Sequence, residues 1–214
     1  MDTLQGEEMA ARTPEEVIQR AEENLHTARL GLDDLKEGSG PRKSSGLKNV
    51  VIWGRSITNV LQKLRGFPNL AFDEWYARYE DEMANDELMK FFYRLRSDIL
   101  KEGEPVSLQR GYYIKDLNLE DFEQYAPKPR GATGIFIDAL GAGWTIGDVD
   151  GDHVKYYVPL PDDVASPIGG FDKPPHTHLG HSVEGMPQEQ LAQLYFDYLS
   201  RMLKDARKRF VRGN

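Results

Sequence analysis

The sequence predicts an α+β fold in which an N-terminal antiparallel helical bundle is joined to a small antiparallel β-sheet and closed by a C-terminal amphipathic helix that packs back. Three observations carry this prediction. Apolar residues recur at three- and four-residue steps from Val17 to Ile99, strand-like runs replace them after Pro105, and helical spacing returns from Leu191 to Phe210. The boundaries that follow are a flexible N-terminus over 1–12, a helical bundle over 13–103, a β-containing segment with a long Pro/Gly loop over 104–186, and the closing helix over 187–214.

The first helix announces itself at Thr13-Pro14-Glu15-Glu16. Thr13 is placed as N-cap, Pro14 occupies the first helical position where its missing N–H costs nothing, and Glu16 completes a capping box. Val17, Ala21, Leu25, Ala28, Leu32 and Leu35 then share one face until Gly38-Ser39-Gly40-Pro41 stops the helix near residue 37. A linker from Gly38 to Gly46 follows. Leu47, Val50, Ile57, Leu61 and Leu64 form a second stripe that ends before Gly66-Phe67-Pro68, so the two helices should pair as an antiparallel hairpin. Gly54 falls on that stripe and predicts a helix-crossing point, at a propensity cost of about 1 kcal/mol. A third helix is expected from Asp73 to about Met83. A fourth starts at Asn85 or Asp86 and runs to Glu102, with Leu88, Phe91, Phe92, Leu95 and Ile99 facing inward.

Tyr112-Tyr113-Ile114 and Gly134-Ile135-Phe136-Ile137 read as strands. Two further runs, 144–149 and 153–158, flank Asp150-Gly151, a strong hairpin signal because Gly tolerates the left-handed backbone such a turn needs. The glycine runs at 131–134 and 141–143 precede strands. They lack the helix N-terminus that would hold a phosphate, and turns or bulges at strand ends are their expected role. An outward ring at Tyr112 or Tyr157 would mark an interface. Residues 159–187, rich in Pro, Gly and Asp, read as one long ordered loop, after which Pro187 opens the last helix. Its stripe of Leu191, Leu194, Tyr195, Tyr198, Leu199, Met202, Leu203, Ala206 and Phe210 must pack on the bundle, the sheet or a partner.

Composition narrows the function classes. The chain has no cysteine, which excludes a disulfide framework, a thiolate metal site and a cysteine nucleophile, and makes the cytoplasm the default location. A net charge of -8 argues against wholesale wrapping of nucleic acid. No stretch approaches the roughly 20 apolar residues of a membrane span, so no membrane partner is expected.

Two clusters carry candidate chemistry. His176-Thr177-His178-Leu179-Gly180-His181 holds three of the five histidines. In an extended segment His176 and His178 face the same way, and His181 could curl round as a third nitrogen ligand for a divalent metal, with Asp172 or Asp163 adding a carboxylate. The competing reading, a loop whose histidines cap helices or face solvent, leads, and no cofactor is the first expectation. Arg201, Lys204, Arg207, Lys208, Arg209 and Arg212 make the end of the last helix basic. Cations there complement the helix dipole. They also offer a docking patch for nucleic acid or an acidic partner surface, including the chain's own acidic first helix. The acidic run 148–152 begins like a calcium loop but has His153 and Pro159 where that loop needs Gly and Glu.

On the helical half, the spacing from Arg20 to His26 resembles the arginine and histidine pairing of the HEPN ribonucleases. The resemblance implies RNA cleavage with those two residues at the site, although the pair lies on the first helix, away from the family's usual position, and about one such spacing is expected by chance.

The leading expectation is a non-enzymatic interaction or regulatory protein that binds another protein, or itself as a homo-oligomer, through helical apolar faces. Apolar stripes outnumber convergent polar constellations. The alternatives are a HEPN-like or other nucleic-acid-acting bundle protein and a metal-dependent hydrolase using His176, His178 and His181. The sequence leaves enzyme activity open.

Overall fold

The computed structural model describes residues 13–38, 40–103, 111–114, 119–138, 141–147, 153–161, 164–168 and 171–211. The N-terminal tail 1–12, the first joint near Pro105, the Asp150-Gly151 turn with its acidic run, Asp163 and Arg212 lie outside the described residues.

Helix α1 (Pro14–Glu37) starts as its sequence requires. Thr13 Oγ1 accepts the Glu16 N–H at 3.2 Å, and the Thr13 N–H donates to Glu16 Oε2 at 2.9 Å, so two otherwise orphaned donors are satisfied reciprocally. Helix α2 (Gly40–Leu61) begins well before the expected end of the Gly38 to Gly46 linker, and this corrects that linker. Pro41 suits a first helical turn, where it removes no intrahelical hydrogen bond. Gly46 is a packing residue: a Cβ there would lie 2.5 Å from the Leu35 nitrogen and 2.6 Å from the Gly31 carbonyl oxygen. The two helices run antiparallel, with Asn24 donating to Ser56 at 2.9 Å farther along the hairpin.

After two short 3-10 turns (Gln62–Gly66 and Pro68–Leu70) come α3 (Phe72–Asn85) and α4 (Glu87–Glu102). Asp86 is the N-cap of α4. Helix α6 (Gln188–Phe210) closes the bundle. Lys36 bonds Gln193 and Glu22 pairs with Arg207, which sets α6 antiparallel to α1. Lys43 pairs with Glu189 at 2.6 Å, and a Cβ at Gly54 would lie 2.6 Å from Tyr195 Cε1, which sets α6 parallel to α2. The stripe of α6 is thereby buried in the chain's own core, which extends from Val17 on α1 to Phe210 on α6. Among the described residues no helix is long and apolar enough to cross a membrane.

The β-segment is a second, smaller centre. Strands β2 (Ala132–Asp138), β3 (Gly141–Gly147) and β4 (His153–Tyr157) form an antiparallel meander with β3 in the middle. A register shift lies between Ala132 and Gly134, consistent with the bulge expected of that glycine run. Gly143 has a different role from a strand-end turn: it sits inside β3, where a Cβ would lie 2.0 Å from the Tyr156 carbonyl oxygen. Trp144 is fully buried at the centre, with its indole N–H donating to the Ala126 carbonyl at 3.1 Å and its ring edge-on to Phe122 at 5.3 Å. Phe122 belongs to α5 (Leu119–Tyr125), a short helix the apolar period does not announce. On β4 the exposed ring is Tyr156; Tyr157 instead donates to Asp138 at 2.8 Å and meets Phe136 edge-on.

The expected loop over 159–187 contains three short strands. Strand β5 (Ala165–Ile168) pairs with β1 (Gly111–Ile114), and β6 (Thr177–His178) pairs with β7 (His181–Ser182). Strands of two to four residues are too short to display a period.

Candidate functional site

The histidine-rich hairpin is anchored on the first turn of α4 by two adjacent carboxylates. Asp86 Oδ1 accepts the Met89 N–H at 2.9 Å and lies 3.0 Å from His178 Nδ1, while its Oδ2 accepts the Leu179 N–H at 2.7 Å. Glu87 Oε2 accepts the N–H groups of His176 and Thr177 at 2.9 and 3.2 Å. Hydrogen bonding from the His176 N–H, reinforced by that of Thr177, outweighs desolvation and holds the Glu87 carboxyl below the ordinary glutamate range. His178 is buried against Asp86, whereas His176 and His181 are exposed. Among the described residues no group of three or more His, Asp or Glu side chains is arranged to hold a metal ion.

This anchoring builds one wall of a cleft of about 660 Å³. Upstream of the hairpin, Phe171 inserts beside Phe91 at 4.7 Å, and Lys173, Pro174 and His176 then run along the opening. Arg55 and Thr58 come from α2, Gln62 from the 3-10 turn that follows it, Tyr76, Glu80 and Met83 from α3, Met89, Lys90, Tyr93 and Arg94 from α4, and Tyr195 and Leu199 from α6. The lining mixes apolar surface with polar groups, the composition of a ligand pocket.

Its charge differs in sign from that of the chain. Arg55, Lys90, Arg94 and Lys173 face it together with His176, against the carboxylates Glu80 and Glu87, and Glu87 is already engaged by the hairpin. Among the described residues none of those four cations has a carboxylate partner. Arg55 is half-buried and held in place: its guanidinium donates to Thr58 Oγ1 at 2.6 Å and lies 5.3 Å from the centre of the Tyr93 ring. Thr58 in turn donates to the Arg55 carbonyl at 2.9 Å.

Tyr195 is only 3% exposed, stacked on Phe92 at 4.4 Å, and its hydroxyl has no hydrogen-bond partner among the described residues. Burial pushes its ionisation up, with the Arg55 and Arg96 charges opposing, so the hydroxyl stays protonated and able to donate.

The basic end of α6 is divided. Arg207 pairs with Glu22 at 2.7 Å, so part of the patch meets the acidic first helix, and Arg201 lies over Tyr198 at 5.2 Å. Lys204, Lys208 and Arg209 are exposed. Arg20 and His26 are both exposed on α1. Six residues at 3.6 per turn set them roughly 120° apart around the helix, so they do not converge.

The cleft residues escaped the sequence reading because they come from five separate segments. Tyr195 was legible as a member of a buried stripe but not as a free donor, and nothing local marks Arg55 as lacking a counter-ion. Compared with protein-family models, curated proteins and solved structures, the chain matches none.

Proposed function

We propose that this chain is a non-enzymatic binding or regulatory protein that recognises its ligand in the cleft between α2, α3, α4, α6 and the loop leading into the histidine hairpin. One observation carries the reading: the cleft gathers cations without carboxylate partners around an apolar lining, in a chain of net charge -8. The helical stripes, expected to meet a partner, are used inside the fold, which supports a recognition surface other than those faces. Titrating an isotope-labelled sample with a mixed library of neutral and charged fragments tests this. Amide shifts should cluster around Arg55, Tyr93 and Leu199, with every fragment recovered unchanged. Shifts elsewhere only, or chemical conversion of a fragment, would reject it.

A second reading, association of two copies, is favoured by the outer strand β4, where Val154 is 64% and Tyr156 52% exposed on the face that also carries Trp144. Light scattering over a range of concentrations tests it. A strict monomer rejects it.

A further inference from the structure

Resting on that reading of the cleft, we propose that its ligand is a small organic carboxylate, whose anionic group is taken by the Arg55 guanidinium and the Tyr195 hydroxyl and whose apolar body lies against Met83, Met89 and Leu199.

Three features select this chemistry. A guanidinium offers donors in a planar fork that matches a carboxylate, and the fork of Arg55 is oriented by Thr58 and Tyr93 before any ligand arrives. Tyr195 supplies a second, neutral donor: its ring is almost entirely buried, while its hydroxyl has no protein partner among the described residues and the residue lines the cleft, where an acceptor on the ligand would complete its hydrogen bonding. Gly54 fixes where that donor sits, because any Cβ on it would lie 2.6 Å from Tyr195 Cε1 and 3.1 Å from the hydroxyl oxygen. The third feature is charge matching. One half-buried cation and one neutral hydroxyl balance a monoanion. A phosphate dianion at the same depth would leave a charge uncompensated, since Lys90, Arg94 and Lys173 are exposed. The size agrees as well, for about 660 Å³ accommodates a small molecule.

Calorimetric titration of the full chain tests the assignment with three matched series built on benzene and naphthalene: the carboxylate, its amide and its phosphate ester. The carboxylates should bind at least about tenfold tighter than the amides. Arg55→Gln and Tyr195→Phe should each remove about 10- to 100-fold of carboxylate affinity, the usual effect of losing a charge-assisted hydrogen bond, and leave amide affinity unchanged. Tyr195→Phe keeps the ring on Gly54 and Phe92, so it is the variant to rely on should Arg55→Gln fail to fold. Equal binding of amides and carboxylates within the cleft would overturn the carboxylate assignment and leave the cleft as a binding site. Phosphate esters binding tighter than carboxylates, or an acidic peptide displacing them at lower concentration, would overturn it in favour of another anion. The absence of fragment shifts at the cleft in the labelled sample would remove both readings together.

Discussion

The helical part buries its side chains in one continuous core from Val17 to Phe210, whereas the β-segment closes a second core around the single indole of Trp144. The difference lies in redundancy. Five helices contribute to the larger core, and capping, glycine contacts and ion pairs each secure part of it. The smaller core groups Phe122, Ala126, Ala142, Val158, Leu160 and Val164 with Trp144, its largest fully buried side chain, while Ile137, Val154 and Tyr156 of the same sheet remain exposed. A region built around one side chain should fail at that side chain, and a region built from many contacts should fail by degrees.

Trp144→Ala is therefore expected to have the largest effect, about 3–5 kcal/mol, confined to the β-segment. Hydrogen exchange should lose protection in β2, β3 and β4 while α1, α2 and α6 keep theirs. Equal loss in both regions would show that the two cores unfold as one unit. Within the bundle the steepest loss is predicted at Gly46. The neighbours of its missing Cβ are backbone atoms at 2.5 and 2.6 Å, which cannot turn aside as the Tyr195 ring beside Gly54 can. Gly46→Ala should cost about 2–3 kcal/mol and Gly54→Ala about 1–2, both read from denaturant midpoints. The reverse order would mean that the α2 to α6 contact is the less forgiving one.

Asp86→Ala should cost about 1–3 kcal/mol, because it removes the N-cap of α4 and the acceptor for Leu179 and His178 at once. Exchange should quicken at Leu179 more than at Thr177, whose N–H is held by Glu87.

Asp205→Asn is expected to have the smallest effect, within about 1 kcal/mol, because the carboxylate is partly exposed and solvent screens it. Desolvation works against this carboxylate, but hydrogen bonds from Trp75 and Tyr79, each 2.8 Å, and the Arg78 charge hold its pKa below the ordinary aspartate range. A depressed folded-state pKa contributes stability that is present above the unfolded value and is lost as pH falls through the folded value. The variant should therefore match the parent more closely as the pH drops below about 4. A gap that widened on acidification would contradict the assignment. On the other side of the contact, burial first and the Asp205 hydrogen bond second push the Tyr79 hydroxyl up to about 12, so it stays a donor throughout this range.

What the sequence made legible follows the range of the interaction. The Thr13 capping box, the start of α4 near Asp86 and the stripes of α1 to α4 and α6 depend on residues within one or two turns of each other, and each is found where the spacing places it. Gly54 was legible because its neighbours on the stripe gave the absent side chain a direction. Gly46 reads as linker because glycine marks both loose chain and close packing, and only the partner backbone, here Leu35 and Gly31, separates the two. Helix α5 carries one large buried ring, Phe122, which is too little to set a period. The cleft lay beyond local reading altogether: Arg55 and Tyr195 are 140 positions apart, and only the docking of α6 on α2 brings them to one site.

The placement of α6 between α1 and α2 has a consequence for biosynthesis. The hairpin of α1 and α2 is local and can form as soon as its residues leave the ribosome, but the groove it presents is filled by Tyr195, Leu199 and Leu203, synthesised more than a hundred residues later. Through that interval the nascent chain carries an open apolar trough, the kind of surface that recruits chaperones or drives premature self-association. A ribosome stalled before residue 188 would therefore display a client, and one that has released residue 210 a closed protein.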